Sequence, residues 1–394
     1  MKVLPFNAYI PNGDEAAKIA TLPYDVMNRK EAAAMAAGNP ISFLHVTRSE
    51  IDLDVEDVYS PQVYEKAKEN WKKLAAEHLK KDAEPHFYVY SLVMNGRRQT
   101  GIVATPLVKD YNENRILRHE KTRREKEDDR TRHISTLRAQ TGPVFLTYKD
   151  NAAIDAIVAE TMKQKPLFDF VAEDGISHTG WRIENTSAMQ NAFGNVDKLY
   201  IADGHHRAAS ASRTYAADSS GEADRFLAVI FPASQLRILA YNRVVFTLNG
   251  RDEAGFLAEL GKVAPLSPVS NPVPAKPGDV CVYCGGKWYG LTLPDVDTDA
   301  IGKLDVSRLQ SLVLQPLLGI DDPRTSKQID FVGGIRGTAE LEKRVNSGEA
   351  KVAFSMYPTT LDQLMAIADE GGIMPPKSTW FEPKLRDGLF VHEI

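Results

Sequence analysis

The chain has 394 residues, 43% hydrophobic and 26% charged, with 48 Lys and Arg against 53 Asp and Glu for a formal charge of -5. That composition fits a folded protein with one large core or two to three smaller ones. The negative balance argues against a nucleic-acid surface over the whole molecule, and no apolar run reaches membrane length.

The opening "MKVLPFNAYIPNGDEAA" turns polar after one lysine, unlike a signal peptide, and two cysteines do not make an exported disulfide framework. The expected location is the cytoplasm. In chain order, Asn28 precedes "RKEAAAMAAG" with Glu31 three residues on, the spacing of a capping box, and Gly38 and Pro40 stop that helix. "ISFLHV" (41–46) reads as a strand. Residues 60–81 read as an amphipathic helix, with Ser60 as cap, Pro61 in the first turn, and Val63, Ala67, Trp71 and Leu74 on one side. "HFYVYSLVM" and "RQTGIVATPLV" read as a hairpin turning at Asn95–Gly96. A charged stretch of helical propensity (115–142) leads to the strand "PVFLTY" and the helix "AAIDAIVAETMKQ". "LFDFVAEDGISHTGWRI" reads as two strands about an Asp-Gly turn, and "KLYIADGHHRAASASRTYA" as strand, tight turn and helix.

The second half repeats the mixture. "DRFLAVIFP" and "NRVVFTL" read as strands, and "RDEAGFLAELGKV" as a helix. Residues 266–279 are a proline-rich loop, and "VCVYCGGKWYGLTL" is a hairpin turning at Gly285–Gly286. Three more helices and the strand "KVAFSMYP" precede a closing loop with a terminal strand. Irregular interleaving with many hairpins predicts an α+β fold of mixed and antiparallel sheets. The 266–279 loop predicts an N-terminal domain of 1–265 and a C-terminal portion of 280–394.

"YIADGHHRAASASRTY" (200–215) places an acid, a glycine, two histidines and an arginine in succession. Asp203 is expected to cap the following helix by accepting from the amides near His205 and His206, with Gly204 supplying the turn. A cap leaves His205, His206 and Arg207 unexplained. Arginine in a first turn has the wrong sign for the helix dipole unless a carboxylate, a phosphate or another anion offsets it. In "RHEKTRREKEDDRTRH" (118–133) the later charges read as a solvated helix face. The front part offers Glu120 as a general base, and His119, Lys121, Thr122 and Arg124 to meet anionic groups. "MPPKSTWFEPK" (374–384) is a proline-stiffened loop that offers Lys377, Ser378 and Thr379 to a phosphate, and "LPYDVMN" (22–28) puts Tyr24 and Asp25 before a helix. Cys281 and Cys284 have no second pair to complete a zinc site and read as buried small hydrophobes. "GGIRG" (333–337) matches no phosphate-loop pattern. No metal ligand set is predicted.

The stretches "LPYDV", "NPISFLHVTRSEIDL", "RHEKT…DR", "IADGHHR" and "MPPKSTWFEPKLRDGL" run the length of the chain, which resembles the widespread prokaryotic family of unknown function numbered 1015. "DGHHR" is also similar to the nucleotide-contacting strand–turn–helix motif of the ParB/sulfiredoxin superfamily, including its free-serine kinases. That resemblance implies a ParB/sulfiredoxin-like core, phosphate handling by Asp203, His205 and Arg207, and Glu120 as the base. The expected function is a phosphotransferase acting on a small hydroxylated metabolite such as free serine. A nucleotide or pyrophosphate with Mg²⁺ is the expected donor. His206 and Lys377 would help neutralise the transferring group. A non-catalytic phosphate-binding regulator and a phosphoester hydrolase use the same residues and stay open as alternatives.

Overall fold

Asn95 and Gly96 both take positive φ (52° and 76°), matching the twist that a two-residue hairpin needs. They join Phe87–Met94 to Arg97–Pro106 in the register Met94↔Arg97 to Tyr88↔Val103. In the computed structural model, which describes residues 1–295 and 299–394, this hairpin lies within a nine-stranded sheet. Its strands are β1 (Val3–Leu4), β2 (Phe87–Met94), β3 (Arg97–Pro106), β4 (Ile116–Leu117), β5 (Val144–Tyr148), β6 (Phe168–Val171), β7 (Ser177–Ile183), β8 (Leu199–Asp203) and β9 (Ala228–Pro232). The order is β4-β8-β5-β9-β3-β2-β7-β6, with β1 beside β3. Pairing is parallel at β4–β8 and β5–β9 and antiparallel at the other described pairs, so the sheet is mixed. The α+β expectation is met.

Apolar residues of β3, β5, β8 and β9 (Ile102, Val144, Leu146, Leu199, Ile201, Ile230) pack with Met189, Phe193, Ala208 and Ala211 in one core. The near-continuous apolar runs of the inner strands follow from helices on the sheet. Helices α1 (Arg29–Ala36), α2 (Pro61–His78), α3 (Arg124–Leu137) and α4 (His205–Ala217) belong to the same part of the chain. The capping box of α1 is present, with Asn28 accepting from the Glu31 amide and Glu31 from the Asn28 amide. Ser60 sits at the N-cap of α2, but its hydroxyl caps nothing and has no partner.

Two expectations change. The run 41–46 is no strand: Leu44–Thr47 is one helical turn. Short apolar runs satisfy helix and strand alike, and here Phe43, Leu44 and Val46 are all buried within a few residues of an Asn39–Pro40 turn. The chain also divides elsewhere than at 265–280. One unit comprises Met1–Leu236 and Pro383–Ile394, the other Arg237–Glu382. Tyr241–Val245 already pairs between Ile329–Gly333 and Val352–Met356 in the second unit's six-stranded sheet. The last residues belong to the first unit because Asp387 and Thr21 exchange backbone hydrogen bonds, as do Val391 and Tyr9.

In the second unit, Ser267–Pro268 of the proline-rich loop adds a short edge to the hairpin of Asp279–Cys284 and Lys287–Thr292. Cys281 and Cys284 are buried there, and burial pushes both thiols up to about 11, so they behave as small apolar groups. Among the described residues, no helix is long and apolar enough to cross a membrane.

Candidate functional site

The register of β8 on β5 slips between Ile201 and Asp203, a bulge that re-aims the strand's last side chain. Gly204 follows with φ +88°, a conformation that suits glycine, and α4 starts at His205. Asp203 does not cap α4 as expected. One carboxylate oxygen accepts from the Gly204 amide at 2.8 Å and the other from Lys384 Nζ at 2.9 Å. Burial alone would raise this carboxyl, but Lys384 and Arg207 outweigh it and hold it well below the usual range. The first-turn amides of α4 therefore receive no side-chain cap.

The segment between β4 and α3 crosses this helix start. The His119 amide donates to His205 Nε2 at 3.5 Å, and the Arg123 amide donates to His206 Nε2 at 3.0 Å. Both histidines are thus acceptors at Nε2, which suits neutral rings. Burial lowers the pKa of each, His205 the more strongly. The His119 and His205 rings meet edge to face, with centroids 4.5 Å apart. His119 is buried and is pushed down to about 4 by that burial, against the Ile201 backbone, and neither ring nitrogen makes a well-formed hydrogen bond. Glu120, exposed, has a carboxylate oxygen within 4.8 Å of a nitrogen on each of these two rings.

Arg207 points inward. It is 9% exposed, one Nη donates to the Pro143 carbonyl, and its Nε has no partner. Burial opposes the charge, but Asp25, Asp203 and Asp387 more than restore it. With Tyr24, Arg130, Gly142 and Asp387 it lines a cavity inside the first unit. The Arg130 guanidinium lies 4.0 Å over the Tyr24 ring and donates to Asp129 at 2.9 Å. Asp387 reaches the cavity with Oδ1 unpartnered, and burial pushes its carboxyl up to about 7 against Arg207 and Arg130.

The family model described as "Protein of unknown function (DUF1015)" matches residues 3–307. The chain belongs to the DUF1015 family. No curated protein matches its sequence. Among solved structures it is similar to a free serine kinase in complex with AMP at 10% identity and a TM-score of 0.38, covering 71% of this chain and 86% of that one. It is similar to a conserved hypothetical protein from Pyrococcus furiosus at 12% identity and 0.37, covering 72% and 93%. A third is SbnI with C-terminal truncation from Staphylococcus aureus at 12% identity and 0.38, covering 72% and 85%. Likenesses that distant carry no argument about what this DUF1015 chain does.

In this DUF1015 chain the first unit brings together Tyr24, His119, Glu120, Asp203, His205, His206 and Arg207, and Asp25 lies close enough to act on the charge of His206 and Arg207. Lys121 is exposed beside them, and Thr122 is turned away to donate to Glu127. Lys377, Ser378 and Thr379 belong to the second unit. There Lys377 lies over the Tyr241 ring, and the Ser378 hydroxyl donates to the Pro375 carbonyl at 2.7 Å.

Sequence reasoning missed Lys384, Asp387 and Arg130. The first two stand in "PKLRDGL", just past the residues chosen from that loop, and Arg130 was absorbed into a charged face. The available signal was that Arg130 and Asp387 lie in stretches on which the family resemblance rests. Among the described residues, the cluster of three or more metal-ligating side chains is His119, Glu120 and His205. It offers two nitrogens and one carboxylate, so it is not the all-oxygen shell that Mg²⁺ prefers.

Proposed function

We propose that the first unit binds the phosphate of a nucleotide or pyrophosphate donor at Arg207 and transfers a phosphoryl group to a small hydroxylated metabolite, with free serine the first candidate. One observation carries the reading: a buried arginine in the first turn of a helix keeps an N–H donor without a partner, beside amides that no side chain caps. A cation at the positive end of a helix is unfavourable alone and favourable with an anion between. Arginine's fork, with the adjacent amides, matches phosphate oxygens. Arg130 in the same cavity adds a second positive charge.

In the transfer, the bond between phosphorus and the donor's leaving oxygen breaks and a bond to the acceptor's hydroxyl oxygen forms. The hydroxyl proton must leave. Asp203 is a poor acceptor for it, because Lys384 stabilises its ionised form. The Glu120 carboxylate supplies the better destination, since burial disfavours the protonated rings of His119 and His205. Bound with the donor, Mg²⁺ would spread the charge of its phosphates, and the exposed Asp25, whose charge acts on Arg207, would help hold it.

The test is phosphorus NMR of the chain with Mg²⁺, ATP, ADP or pyrophosphate, and a panel of hydroxy amino acids and small alcohols. A new phosphomonoester resonance that depends on the acceptor supports the reading. Inorganic phosphate alone would make the protein a hydrolase, and an unchanged spectrum with every donor would end the phosphoryl-transfer account.

A further inference from the structure

We propose that His119, His205 and Glu120 form a binding site for one divalent transition-metal ion, held by two imidazoles and a carboxylate. One ligand atom from each side chain lies within 4.8 Å of the others. Bonds of about 2.0–2.2 Å at tetrahedral or octahedral angles place neighbouring ligand atoms roughly 3.0–3.6 Å apart, so closure needs the most separated atoms to approach by about 1–2 Å. Glu120 is the exposed member of the three.

The second observation is the state of His119. At 2% exposure neither ring nitrogen makes a well-formed hydrogen bond, and the Ile201 backbone draws on the ring. Leaving a buried imidazole unsatisfied costs stability, and a metal bond satisfies one of its nitrogens. His205 is little better served, since Nε2 takes only the long 3.5 Å contact from the His119 amide. The two rings stand nearly perpendicular, at 87°. They approach from different directions, as ligands of a single centre do.

The backbone explains the convergence. Strands β4 and β8 pair in parallel, Leu199 with Ile116 and Tyr200 with Leu117, so their C-terminal ends lie side by side. His119 and Glu120 leave one end, and His205 opens the helix at the other. Two nitrogens and an oxygen select zinc, iron, cobalt or nickel over Mg²⁺ and Ca²⁺, and three protein ligands leave positions for water or substrate. Asp203 stays with Lys384 and is not counted.

A nitrogen or oxygen bound to the ion cannot also take the hydroxyl proton, so metal binding here replaces the proton-accepting role given above to Glu120. The test of the metal site contains no nucleotide. Untagged full-length protein is titrated with Co²⁺ alone and followed by visible absorption and proton NMR. The proposal expects one Co²⁺ per chain, d–d absorption without a thiolate charge-transfer band, and two paramagnetically shifted imidazole N–H signals. His119→Gln and His205→Gln, checked for folding by circular dichroism, should each weaken binding by at least the roughly 10–100-fold that losing even a supporting group costs. No Co²⁺ binding, a thiolate band, or affinity unchanged in both folded variants would overturn it. The NMR signals of the wild-type chain decide the matter even if a variant fails to fold.

Discussion

Asp387 shows how a single buried carboxyl ties stability to the site. Burial pushes it up to about 7, against the pull of Arg207 and Arg130. The folded chain therefore holds this proton more tightly than the unfolded chain, whose carboxyl titrates near about 3.9. Its contribution to stability is complete below about pH 4 and is lost as pH rises through 7. Asp387→Asn mimics the neutral form. It should raise stability at pH 8 relative to wild type, by up to about 4 kcal/mol, and change it little at pH 4. Urea unfolding at both pH values reads this directly, and an unaltered pH dependence in the variant would refute it. Sequence could not show this residue's role. A carboxyl in "PKLRDGL" looks like any surface acid until the fold buries it beside arginines. The place of Arg207 in the first turn of a helix, by contrast, was legible, because it follows from sequence order alone.

At the scale of elements, the turn chemistry and hairpins were readable and the points of close approach were not. Asn95–Gly96, the Asp174–Gly175 turn and the strand–glycine–helix at 199–217 form as local rules require. The 41–46 run failed because six apolar-rich residues fit two periods, and a neighbouring turn decided between them. Asp203 failed as a cap because a partner 181 residues away, Lys384, claims its carboxylate. Gly142 is a contact no local rule announces: a Cβ there would lie 2.5 Å from Asp387 Oδ1. Gly142→Ala should cost about 1–3 kcal/mol, the range for overpacking a closed site, and lower Tm. A melting temperature equal to that of wild type would show that Asp387 moves freely and that the cavity is not held as described.

For the whole molecule, the interleaved hairpins and helices set the α+β class correctly, while the domain boundary was invisible because the first unit is discontinuous. The proline-rich loop is conspicuous in sequence yet lies inside the second unit, and the last twelve residues, 383–394, complete the first. Leu385, Leu389, Phe390, Val391 and Ile394 are all buried there. At roughly 1.5–3 kcal/mol for each buried side chain, their loss rivals the ~5–15 kcal/mol that keeps a domain folded. A chain ending at Glu382 should lose the cooperative unfolding transition of the first unit, and a retained transition would contradict that accounting. The central claim is that Arg207 anchors a phosphate. Isothermal titration of pyrophosphate and ADP, each with Mg²⁺, into wild type and Arg207→Lys tests it most directly. The account predicts saturable binding to wild type, weakened roughly 10–100-fold in the variant, which keeps the charge but loses the fork of a charge-assisted hydrogen bond. No binding to wild type, or equal affinity in the two proteins, would contradict it.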